Sequence, residues 1–370
     1  MRHKIIYLAL MVIGLCFLPV VAFADSPEAT LSIDGGPPVT YPSVQAAVDA
    51  VTANPGTDFV IEIAAGTLTD EINIEQQANK NVVIRPQPGA TVTVKKPINI
   101  DGRGDINSPE TLLIQGLHFD LTGTTVENCI LIPNPGVGFN YAHNVTINGC
   151  TFKGEPSGGV AQVAVRVATG AGARNIAIMN SNANDLHSLG QLNAISGYVF
   201  VQNCIVSEVT EGGINYYGTA DLIVDSCKFD VQSYAVRSGQ SAGAPSTGTV
   251  TINNSVLNTN SATDGAVVLR VQSTRDINII HSNITNSASP AGPSVQALGA
   301  SGFDIDIVES NLVGDIPDPA TNTITIIDDP NVPNGPVNIT GDGNNTTLIF
   351  LATFLAVLVL ILLLVIFALA

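Results

Sequence analysis

Apolar and polar positions repeat one eight-residue phrase along most of this chain. The copies begin at Val145, Ile176, Val199, Leu222, Val250, Ile277 and Ile305, with a weaker one at Leu112. Val145-Thr-Ile-Asn-Gly-Cys150-Thr-Phe152 is representative. Positions one and three are apolar and alternate with polar neighbours, as in a half-buried strand. Position five is often Asn (Asn180, Asn203, Asn254), which tolerates the left-handed backbone of a sharp bend. Position six is small, Cys or Ser, and position eight is apolar again. The phase slips by one residue at the bend, so the chain keeps facing one interior. The phrase therefore predicts a strand, a corner and a second strand.

Successive sixth positions, from Leu117 to Ser310, are separated by 33, 31, 23, 23, 28, 27 and 28 residues. A loosely spaced repeat of this kind marks a solenoid. The expected fold class is all-β, a parallel β-helix of about nine or ten coils. A shorter phrase, Val126-Glu-Asn-Cys129-Ile-Leu131, sits too close to its neighbour for a coil of its own and reads as another face of the same turn. Thr323–Ile327 can add one last strand. Val44, Ala47, Val48 and Val51 follow helical spacing behind Ser43, a good N-cap, and Asn54-Pro55-Gly56 stops the run. A short amphipathic helix at 43–53 is expected to cap the open end of the solenoid.

These features give residues 40 to 315 a resemblance to the right-handed parallel β-helices of the pectin-lyase-like superfamily. Phe59-Val-Ile-Glu-Ile63 with Ala65-Gly66-Thr67 is similar to the first coil of its pectin-esterase-like members. The superfamily holds lyases, hydrolases, esterases and epimerases, and also adhesins and inert surface proteins, so the resemblance implies fold rather than activity.

A second short strand follows most corners and carries Arg166, Asn215, Arg237, Arg270 and Gln296 in comparable places, with Tyr217 nearby. These side chains are expected along one outer face, stacked coil on coil. The resemblance implies that such a face is the saccharide groove, and guanidinium groups suit sugar hydroxyls and carboxylates. The other reading is an ordinary solvated face. A lyase-like activity would use Arg237 or Arg270 as base together with calcium held by acids. Glu208, Glu211, Asp221 and Asp225 are near one another in sequence but do not assemble around one ion on the page. The Gly-His-Gly context of galacturonase-like enzymes is missing around His118, His143, His187 and His281. Asp185-Leu-His187 reads as a loop. The expected function is therefore a non-catalytic surface protein with a structural, adhesive or glycan-binding role. A surface-tethered polysaccharide lyase or glycoside hydrolase is the alternative. No cofactor is expected, calcium belonging only to the lyase alternative.

Cys129, Cys150, Cys204 and Cys227 read as small interior residues. Cys204 and Cys227 fall in neighbouring coils, where in-register side chains point alike rather than at each other, which disfavours a bridge. No Cys/His spacing suggests zinc.

The ends and the charge place the solenoid. Residues 1–24 read as a secretory signal: Arg2 and Lys4, an apolar run, then Ala22-Phe23-Ala24. The full chain carries a formal charge of −17, and removing that segment leaves 12 basic against 31 acidic residues, or −19. Nucleic acid is excluded as a partner on that balance. The β-helix domain is assigned to 25–315 and a Pro/Asn/Thr-rich stalk to 316–347. Residues 348–370 are uncharged and apolar over 23 positions, long enough to cross a bilayer. A single-pass cell-surface protein is expected, and a glycolipid-anchored form is the alternative. Extracellular polysaccharide or neighbouring envelope proteins are the candidate partners. Asn144, Asn253, Asn283, Asn338, Asn344 and Asn345 begin glycosylation triplets, and Asn338, Asn344 and Asn345 are the ones expected to be used.

Overall fold

The structure is a computed structural model that describes residues 26–102, 110–133, 142–155, 160–168, 173–193, 196–239, 248–270, 276–288, 292–298, 304–314, 323–327 and 339–340. For 269–270, 297–298, 326 and 339–340 the description is of backbone alone. The signal segment, residues 348–370 and Asn338, Asn344 and Asn345 lie outside the described residues.

The chain is an all-β parallel solenoid of about eight turns. Its strands stack into three sheets, of 13, 11 and 9 strands. Each phrase supplies a first-sheet strand and, past the corner, a second-sheet strand, and the following polar segment supplies the third. Thus 145–148 pairs in parallel with 112–115 below and with 176–179 above. Nine stacked strands in the third sheet are separated by eight rises, fewer than the nine or ten coils expected. Asn128–Ile132 belongs to that third sheet, so the short phrase at 126–131 is indeed another face of its turn. The first sheet gains the expected strand Thr323–Ile327, parallel to 304–308.

One feature was not foreseen. The N-terminal edge is antiparallel: Ala29–Ile33 pairs with Val39–Tyr41 on one side and with Asp58–Ile63 on the other. The helix Val44–Ala53 lies beside these strands, with Val44, Ala47, Val48 and Val51 buried. Ser43 caps its start, its Oγ accepting from Ala46 N at 3.2 Å. Lys80 closes its end, Nζ donating to the carbonyls of Val51 and Asn54 at 2.6 and 2.8 Å, where the helix dipole favours a cation.

The corners follow the phrase. Position five has positive φ in every copy: Gly116, Gly149, Asn180, Asn203, Ser226, Asn254, His281 and Glu309, between 45° and 68°. Four of these are neither Gly nor Asn. Ser226, which is exposed, lacks both the freedom of Gly and the tolerance of Asn. Ser226→Asn is expected to raise stability by about 0.5–1 kcal/mol, read as a higher urea midpoint at unchanged slope. A lower midpoint would show that the strain is balanced by a contact that Ser226 makes.

Behind each corner the sixth residues form a buried column of Leu117, Cys150, Ser181, Cys204, Cys227, Ser255, Ser282 and Ser310. The small residues there work as a hydrogen-bond ladder. Ser181 Oγ accepts the Cys150 N–H, and Ser255, Ser282 and Ser310 accept those of Cys227, Ser255 and Ser282, all at 3.0–3.2 Å. Each hydroxyl donates in turn to the carbonyl two residues back at 2.7 Å. The thiols of Cys150, Cys204 and Cys227 donate to backbone carbonyls at 3.3–3.8 Å. All four described cysteines are free. Burial pushes Cys150 up to about 11, and a hydrogen bond to the Cys204 sulfur, with burial, holds Cys227 protonated. Position eight, from Phe119 and Phe152 to Leu312, fills the interior, and the two phenylalanine rings stack at 5.1 Å.

Candidate functional site

The third sheet carries the polar row, but with a register the sequence did not disclose. Neighbours are Leu131, Arg166, Gln191, Asn215, Arg237, Val268 and Gln296. Gln191 joins the row and Arg270 does not. Buried Val268 stands opposite Arg237, while Arg270 pairs with Leu298 two residues further along. The side chain of Arg270 lies outside the described residues. The mismatch arises because loop length before the strand varies from coil to coil, so equal distance from the corner does not mean equal register.

The row is also not an open groove. Asn215 is 1% and Arg237 8% exposed. The Arg237 Nη2 donates to Glu211 Oε1 at 2.8 Å and its Nε to Asn215 Oδ1 at 3.1 Å. Its guanidinium lies 3.8 Å from the centroid of the Tyr234 ring, a favourable stacked geometry. Asn215 Nδ2 in turn bonds to the Tyr217 hydroxyl. Gly212 makes the packing possible, since a Cβ there would collide with the Tyr234 ring. The outer members differ. Arg166 makes a long ion pair with Glu127 at 3.6 Å, both well exposed. Gln296 accepts from Gly265 N at 3.1 Å and donates to Thr263 O at 2.8 Å, which holds a loop in place. The expectation of evenly presented contacts is thus corrected: three of its members, Asn215, Tyr217 and Arg237, form one internal network.

Glu211 is the hub of that network. Its other oxygen, Oε2, lies 2.6 Å from His187 Nε2, and His187 Nδ1 lies 3.4 Å from Thr210 Oγ1. Burial works against the charged carboxylate, but hydrogen bonds from His187 and Arg237, with their charges, reverse this and hold it down at about 2. The linkage has a definite sign. A folded-state value below the ordinary 4.5 means that Glu211 contributes stability in full above about 4.5, and loses it as pH falls toward about 2. Stability of the chain is expected to fall through that window, and the fall is expected to shrink in Glu211→Gln. Equal pH profiles for the two proteins would contradict the assignment.

Three of the four histidines beyond the signal segment pair with a glutamate about one coil away. His143 meets Glu110 at 2.6 Å with both side chains 1% exposed. His187 meets Glu211, and His281 meets Glu309 at 2.8 Å. The signal was present in the spacing: the partners stand 33, 24 and 28 residues apart, each within the range of coil steps. His187 thus has Glu211 as its partner rather than a dyad with Asp185. His118 bonds to Thr151 of the next coil at 2.6 Å. Glu208, Asp221 and Asp225 do not join Glu211. Asp221 accepts from Thr249, and Asp225 from Gln202, Asn253 and Asn254. Among the described residues, no three His, Cys, Asp or Glu side chains are grouped to hold a metal ion. No described helix is long and apolar enough to cross a membrane.

The sequence matches no family model and no curated protein. The likeness to the pectin-lyase-like superfamily therefore stands on the repeated phrase and the solenoid it forms.

Proposed function

We propose that this protein is a non-catalytic β-solenoid held at the cell surface, where it acts as a rigid structural or adhesive spacer. The observation that carries this reading is the state of Arg237. A catalytic arginine must meet substrate with its guanidinium, yet this side chain is 10% exposed and is committed to Glu211, Asn215 and Tyr234. The polar row supports the solenoid from within its own surface. In this reading the chain is a right-handed member of the pectin-lyase-like superfamily, and the helix at 44–53 shields its open end. The leader at 1–24 is removed, 316–347 is a glycosylated stalk, and 348–370 anchors it in the membrane.

The test uses the full chain in detergent, offered acidic and neutral polysaccharides with and without calcium. New reducing or unsaturated ends are expected to stay at background. Turnover that vanishes in Arg270→Ala would overturn the non-catalytic reading. Membrane fractionation is expected to retain the chain and to release it when 348–370 is deleted. Mass analysis of the mature C-terminus separates the retained span from a lipid anchor.

A further inference from the structure

The outer face of the first sheet carries a row that a solvated face would not. Val60, Val83, Leu113, Thr146, Ala177, Phe200 and Ile223 are in register on successive coils. Their neighbours along each strand point inward and are buried, so this row faces out; Ala177 is 6% exposed and the others are half-buried. After Ile223 the row turns polar, through Thr251, Asn278 and Asp306. An apolar sheet face confined to the N-terminal coils marks an interaction surface.

We propose that its occupant is a second copy of this chain, packed face to face with the solenoid axes antiparallel. The argument is complementarity under a two-fold axis passing between the Thr146 and Ala177 coils. Small residues then meet at the axis, Thr146 against Ala177. Leu113 meets Phe200 and Val83 meets Ile223, so each large side chain finds an apolar partner. Two residues along each strand, Arg85 faces Asp225 and Gln115 faces Gln202, pairing a cation with an anion and an amide with an amide. The parallel alternative sets each coil against itself and brings Asp58 onto Glu62 and Asp221 onto Asp225, which like-charge repulsion disfavours. Eight coils at about 4.8 Å, each presenting a strand roughly 16 Å long, give roughly 600 Å² per copy, at the low end for a specific interface. Antiparallel axes send the two C-termini in opposite directions. On the surface-anchored reading above, the contact joins two apposed membranes and is homophilic adhesion.

Light scattering on the full chain in detergent at physiological salt is expected to give a dimer. Arg85→Asp and Asp225→Arg are each expected to weaken it at least about tenfold, and the two changes in one chain to restore it. The Arg85–Glu62 pair that the first change breaks is exposed and contributes little to the fold. Circular dichroism confirms that each variant is folded. Independently of those variants, a chain with Gln115→Cys and Gln202→Cys is expected to form a covalent dimer on mild oxidation. Those positions are three coils apart in one chain, too far to bridge internally. A monomeric chain, or no covalent dimer, overturns the interface. Vesicles bearing the chain are expected to cluster with one another and not with bare vesicles. A dimer in detergent from a chain that does not stay with membranes leaves the interface standing and overturns the surface reading instead.

Discussion

Ser255→Leu is expected to lower the stability of the solenoid by about 3–5 kcal/mol. Two effects add. Ser255 is 1% exposed in the buried column, so a larger side chain overpacks it by about 1–3 kcal/mol. The change also removes the hydroxyl that accepts the Cys227 N–H at 3.1 Å. That leaves a buried donor without its partner, worth about 1–3 kcal/mol more. Ser255→Cys keeps the size class and an acceptor, and Cys stands at this position in other coils, so it is expected to cost under about 1 kcal/mol. Urea unfolding of the two variants separates the outcomes. Equal midpoints for Leu and wild type would show that the position faces solvent and that the column is not a ladder.

Arg237→Leu is expected to cost about 2–4 kcal/mol. The guanidinium neutralises Glu211 and satisfies Asn215, so its loss leaves a carboxylate short of a partner in a half-buried place. His187 still holds the other oxygen, which keeps the loss below that of a fully orphaned charge. Arg237→Leu combined with Glu211→Leu is expected to cost less than the sum of the two single changes, because the second removes the charge the first exposes. Additive losses would mean that the two side chains do not act as a pair. The acid-side fall attributed to Glu211 is also expected to diminish in Arg237→Leu, since its depressed value depends on that neighbour.

Much of the architecture was legible because it is local. The alternation Val145, Ile147 and the apolar eighth residue Phe152 set which side chains face inward, and that choice follows from strand period alone. The left-handed fifth residue was legible where Asn or Gly stands. It was hidden at Ser226, His281 and Glu309, where the coil imposes the conformation on residues that do not prefer it. The small sixth position could be read as interior, but its hydrogen bonds could not. An N–H of one coil and a hydroxyl of the next, such as Cys227 and Ser255, are 28 residues apart, and only the stack aligns them.

The candidate site was legible in part. Asn215, Tyr217 and Arg237 were singled out together, and they do meet. Glu211 and His187, which organise them, were passed over because they come from the corner before the third sheet rather than from its strands. Arg270 was grouped with Arg237 by distance from the corner, whereas the ladder pairs Arg237 with Val268.

The sequence by itself determined that the chain folds as a parallel solenoid, where its corners fall, and which residues line its interior. Each depends on the conformational preference or polarity of residues within one phrase. The tertiary structure alone decided which coil-to-coil partners meet: His with Glu, Arg237 with Glu211, and the serine and cysteine column. It also decided that the polar row is closed and that an apolar row lies open on the first sheet. Those outcomes depend on lateral register, which loops of unequal length between the strands set, and no single coil contains that information.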